Sequence, residues 1–149
     1  MIKIILSTAL LATTLTFVGC NTVQTVEKEQ GLVLLQSNVW NLSQIGALEV
    51  KTGPDAGKLP SIQFDQTAKR VSGSDGCNRI MGGYSLNGQQ LQFTDMAATR
   101  MMCSDNMQQA DDFNQALARV TGYQVYSNTL RLLDRHGNVV LTFKRVVTP

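Results

Sequence analysis

The stretch GGYSLNGQQLQF, residues 82 to 93, decides the fold. Tyr84 and Leu86 alternate with polar neighbours on one arm, Leu91 and Phe93 do so on the other, and Asn87-Gly88 stands between them. Alternation with a period of two marks a strand with one buried face. Asn-Gly accepts positive φ in a two-residue turn whose twist suits the strands it joins. A β-hairpin is expected here.

The same pattern recurs on both sides. Leu130 and Leu132 alternate before a turn at Asp134 to Asn138, and Val139, Leu141 and Phe143 alternate after it, giving a second hairpin. Upstream, Trp40, Leu42 and Ile45 suggest a first strand running toward Gly46. Ile62 and Phe64 suggest a second, and Val71 marks a third beyond the turn Gln66-Thr67. KTGPDAGKLP, residues 51 to 60, is rich in Gly, Pro and Lys and reads as an exposed loop. Between the hairpins, DNMQQADDFNQALARV, residues 105 to 120, repeats Met107, Ala110, Phe113, Leu117 and Val120 at helical spacing. Asp105 and Gln108 resemble a capping box, and Gly122 supplies the stop. The expected fold class is mainly β (α+β): a small antiparallel β-barrel of six to eight short strands with one packed α-helix.

The N-terminus reads differently. MIKIILSTALLATTLTFVGC has one charge, Lys3, ahead of an uncharged run from Ile4 to Val18. That run is shorter than the roughly 20 residues needed to cross a bilayer, so residues 1–19 read as a secretory signal. Phe17-Val18-Gly19-Cys20 resembles a bacterial lipobox, which makes Cys20 the acylated N-terminus and the membrane the first expected partner. Two or three acyl chains hold a protein on a membrane where one does not. Asn21 resembles the residue choice that sends such proteins to the outer membrane, facing the periplasm. The polar segment 20–30 reads as a tether, and residues 31–149 as one domain. Without Lys3 the charges nearly balance, 12 basic against 11 acidic residues. No basic block stands out to track phosphates, and nucleic acid is not an expected partner.

Two blocks carry a family resemblance. VSGSDGCNRIMGGY, residues 71 to 84, followed by LQFTDMAATRMMC, residues 91 to 103, resembles the signature of the META domain, the HslJ-like heat-shock family of bacterial envelope lipoproteins. Trp40-x-Leu42 fits the family's opening strand, and the likeness spans roughly residues 35 to 145. It implies a small antiparallel barrel with a packed helix and no established catalytic activity. Ile80 stands where the family commonly has an aromatic residue.

Cys77 and Cys103 each sit in one of these blocks. Two cysteines in an exported chain read as one disulfide. A redox pair is the rival reading, although neither cysteine belongs to a Cys-x-x-Cys at a helix start. Zinc fits poorly, with two thiols and the distant His136 as ligands. His136 itself lies in a turn without nucleophile or orienting acid. Asp111 and Asp112 read as a solvated helix face. Asn78, Arg79, Thr99 and Arg100 remain the candidates for binding or loop pinning. The arginines suit a carboxylate or other anion, or backbone carbonyls and Asp75, Asp95 or Asp105. Met96, Met101, Met102 and Met107 raise thioether copper binding, but without a regular repeat they read as packing, with Met101 or Met102 filling space beneath the disulfide. No cofactor or metal is expected. The expected function is a non-catalytic envelope lipoprotein in stress tolerance or recognition. The alternatives are a small-ligand barrel, a protein-partner or inhibitor module, and a thiol redox protein. A filled interior behind Trp40, Leu42, Phe64, Tyr84, Leu91, Phe93 and Phe143 would argue against the ligand barrel.

Overall fold

The computed structural model describes residues 21–50, 59–103 and 106–145. The expected signal, Cys20 and most of the 51–60 loop lie outside the described residues.

The central hairpin consists of β5 (Arg79–Asn87) and β6 (Gln90–Ala98). Its turn falls one residue later than expected. Asn87 pairs with Gln90, so Gly88-Gln89 makes the turn, with Gly88 at a φ of +60°. This register sets Leu86 opposite Leu91 and Tyr84 opposite Phe93. A turn centred on Asn87-Gly88 would instead oppose Leu86 to a glutamine, so apolar pairing outweighs the local turn preference. Farther along, β6 carries one residue more than β5 between the pairs Gly83–Thr94 and Met81–Ala97. Asp95 occupies this bulge with φ of +50°. Bulges bend and twist the strand that carries them.

Upstream stand β1 (Val39–Ile45), the two-residue β2 (Leu48–Glu49), β3 (Ser61–Asp65) and β4 (Arg70–Ser74). Downstream stand β7 (Gly122–Tyr126), β8 (Thr129–Leu133) and β9 (Val139–Arg145). All pair antiparallel in the order β2-β1-β3-β4-β5-β6-β7-β8-β9, and β1 also pairs with β9, which closes the sheet into a ring. The fold is therefore mainly β and close to a barrel. The nine strands among the described residues exceed the expected six to eight because β2 and β7 carry weak signals. Closure is uneven: β4 and β5 share five register pairs, whereas β6 and β7 share only Gln90 opposite Gly122. Gly73 lets β3 and β4 approach closely, since a Cβ there would stand 1.9 Å from the Ser61 carbonyl oxygen.

Alternation sends Trp40, Leu42, Ile62, Phe64, Leu130, Leu132, Leu141 and Phe143 into one core cluster. Tyr84 and Leu91 join them, while Phe93 is half-buried and stacks on Phe64 at 6.1 Å. The interior is filled by side chains. The expected helix forms as α2 (Met107–Leu117), which packs Phe113 edge-on against Phe143, with centroids 6.2 Å apart. Its buried side comprises Ala110, Phe113, Ala116 and Leu117, with Val120 just beyond. Met107 is 46% exposed, because the helix only begins there. The N-cap residue is Asn106, one position after Asp105, without a side-chain capping bond, and Gln108 donates forward to Asp112. Asp105, on which the expected capping box rests, lies outside the described residues.

A second helix, α1 (Asn21–Ser37), takes the place of the expected tether and runs into the domain. Leu35 anchors it and is fully buried. Its last carbonyls, which no helical turn follows, are met by side chains. The Ser37 hydroxyl donates to the Val33 carbonyl at 2.7 Å, Asn38 Nδ2 to Leu34 at 2.7 Å, and the Trp40 indole to Leu35 at 3.0 Å. Among the described residues no helix is long and apolar enough to cross a membrane.

Candidate functional site

The first motif block folds into the turn between β4 and β5. Asp75 is fully buried there, and its backbone N–H donates to the Asn78 carbonyl at 3.0 Å. Gly76 turns the chain with a φ of +95°. Asp75 Oδ1 accepts the backbone N–H groups of Cys77 at 2.9 Å and Asn78 at 2.5 Å. Oδ2 accepts Asn78 Nδ2 at 3.1 Å and, from α2, Asn114 Nδ2 at 2.8 Å. Burial, the largest single influence, works to raise the carboxyl pKa. The donors from Asn78, Asn114 and Cys77 together outweigh it and hold the group below its ordinary value. Asp75 is thus an ionised, saturated acceptor.

The second block docks onto this turn. Cys77 and Cys103 form a disulfide, their Cα atoms 5.8 Å apart. Asn78 Oδ1 accepts the Met101 N–H at 2.7 Å, so one carboxamide serves Asp75 with its nitrogen and the second block with its oxygen. Thr99 adds two bonds of 3.0 Å: its hydroxyl accepts the Arg79 N–H, and its own N–H donates to the Arg79 carbonyl. The structure therefore brings Cys77, Asn78, Arg79, Thr99 and Cys103 into one clasp. Thr99 and Asn78 act within it as pins.

The arginine side chains do not join the clasp. Arg79 and Arg100 are exposed, and no hydrogen bond among the described residues comes from either guanidinium. Asp75 accepts amides instead of a guanidinium. In the sequence Asp75 reads only as one of several partners for the arginines, and Asn114 does not stand out. The Asp-Gly-x-Asn turn is the signal that points to Asp75, because a short carboxylate readily accepts the N–H groups that follow it. Nothing local marks Asn114.

The methionines correct the expectation of filling. Met101 is 58% exposed and Met102 fully exposed, and Met96 and Met107 also face solvent. The 99–103 segment is held by its backbone and its disulfide, and the space inward of it belongs to Asp75 and Asn114. A polar network leaves thioethers no apolar hole to fill. His136 is exposed in its turn, where Asp134 accepts the N–H groups of His136 and Asn138. Among the described residues no group of three or more His, Cys, Asp or Glu could hold a metal ion.

Among the described residues, two surface clefts flank β6. One, of about 390 Å³, runs beside the clasp between β6 and α2 and is lined by Ile80, Phe93, Met96, Asn114, Leu117 and Val120 among others. The other, of about 710 Å³, lies between α1 and β7 at the far end of the hairpin.

The family model for the META domain matches residues 33–147, which takes in both cysteines and every residue of the clasp. The chain belongs to the META domain family. Solved structures share the META domain's shape. A protein from Burkholderia xenovorans, solved by NMR, is 24% identical with a TM-score of 0.61, over 96% of this chain and 100% of that one. A second NMR structure is 26% identical with a TM-score of 0.58, over 78% and 92% of the two chains. The crystal structure of a DUF4847 family protein from Bacteroides vulgatus is 17% identical with a TM-score of 0.57, over 80% and 100%. No curated protein matches the chain.

Proposed function

We propose that this META-domain protein is a non-catalytic, lipid-anchored component of the bacterial cell envelope, serving stress tolerance as a recognition module. The observation that carries this reading is the clasp. Its cysteines are bonded to each other, its carboxylate accepts four amide donors, and its threonine bonds backbone, so the family blocks build a rigid frame. A disulfide frame suits an oxidising compartment. The lipobox at Cys20 supports the anchor, and the exposed arginines and clefts supply surface for recognition.

The test is fractionation with intact-mass measurement of the protein expressed from its full chain in a double-membraned bacterium. The expected result is an acylated Cys20 in the outer-membrane fraction, and a Cys20→Ala variant that carries no acyl mass and is absent from that fraction. An unacylated wild-type protein, or a variant that still reaches the outer membrane, would overturn the anchor.

A further inference from the structure

We propose that the cleft between α1 and β7 binds a saccharide. The inference deepens the recognition reading and rests on it, by giving the ligand a chemical class. The cleft exists because β7 outruns its neighbour: β6 stops pairing at Gly122, and the β5–β6 turn ends beside Tyr123, whose N–H donates to the Gln89 carbonyl at 3.0 Å. By strand alternation the Val125 N–H points the same way, beyond the last rung. Helix α1 forms the opposite wall.

The lining selects among ligand classes. Gln30, Gln89 and Gln124 contribute three carboxamides, and among the described residues none of these side chains bonds within the protein. Each carboxamide is both donor and acceptor, which matches a hydroxyl, itself both. Tyr126 is 85% exposed on the cleft rim, held by its register with Thr129 across the β7–β8 hairpin. An exposed ring offers an apolar face for the C–H side of a pyranose and a phenol for its edge. Among the described residues Lys28 is the one charged residue in the lining, enough for a single carboxylate and too little for a polyanion. An added peptide strand would find one free rung on β7, and a purely apolar ligand would strip water from three amides without replacing it. A hydroxyl-rich ring satisfies these groups together.

The experiment uses the 15N-labelled full-length protein in detergent micelles, titrated with chitotriose as a neutral probe and trigalacturonate as an acidic one. Saturable amide shifts confined to Gly88, Gln89 and the 123–127 segment are expected with at least one probe. Tyr126→Ala, at an exposed position, should weaken that binding by about tenfold, and Gln124→Ala should weaken it in the same direction. No saturable shift with either probe at millimolar concentration would overturn the proposal, as would shifts centred on another surface or binding undiminished in Tyr126→Ala. Cys20 acylation is read independently by mass, so failure of the cleft and failure of the anchor are told apart.

Discussion

Asp75 decides how the first motif block is used. A buried carboxylate with four amide donors gains charge-assisted bonds, and its removal strands those donors. Asp75→Ala should therefore cost about 2 to 4 kcal/mol in urea unfolding with the disulfide intact. The pH dependence follows from the direction of its shift. The folded carboxyl titrates below the ordinary 3.8, so its stabilisation is fully present above that value and is lost as pH falls through the lower, folded pKa. Asp75→Asn mimics the protonated group. The stability gap between wild type and Asp75→Asn should be wide at pH 7 and shrink toward strong acid, and a constant gap would show that the charge contributes nothing. This residue was only half legible in the sequence. The block was visible, but its arginines and cysteines drew the chemical reading, whereas the burial that gives Asp75 its role arises when α2 folds over the turn. The methionines were misplaced for the same reason, because the space beneath the disulfide had a polar occupant.

At the scale of elements, periodicity read the strands well and the ends poorly. The apolar pairs Tyr84–Phe93 and Leu86–Leu91 fixed the hairpin, yet the turn between them shifted by one residue to keep those pairs opposed. Strand β7 is faint in the sequence because Gly122 reads as a helix stop, and its two tyrosines and one valine leave a short pattern beside it. Helix α1 is equally faint because its first turns are polar in sequence, and because its stability comes partly from residues after it. The Trp40 indole, the Asn38 amide and the Ser37 hydroxyl each bond one of its final carbonyls. Trp40→Phe keeps most of the core volume and removes the indole donor, leaving the buried Leu35 carbonyl without its partner. It should cost about 1 to 3 kcal/mol and speed hydrogen exchange in the last turns of α1 before the sheet is affected. Equal loss of protection in α1 and the sheet would place the indole's role in core packing instead.

For the whole molecule, the ring was legible and its weak seam was not. Alternating strands and the family blocks together implied a small antiparallel barrel, and the chain forms a ring-like sheet with a filled centre. The seam between β6 and β7 is the single rung at Gln90, which depends on long-range register. The clasp ties the β4–β5 turn to the segment leaving β6, whose last residues pair with β5 and not with β7, and Asn114 binds α2 to the same point. The bridge spans 26 positions, which on the chain-entropy estimate stabilises the fold by about 3 to 4 kcal/mol. Equilibrium urea unfolding of the oxidised protein beside the same protein held reduced tests this directly. The clasp predicts an oxidised form more stable by about 3 to 4 kcal/mol. A reduced form as stable as the oxidised one, or more stable, would contradict it.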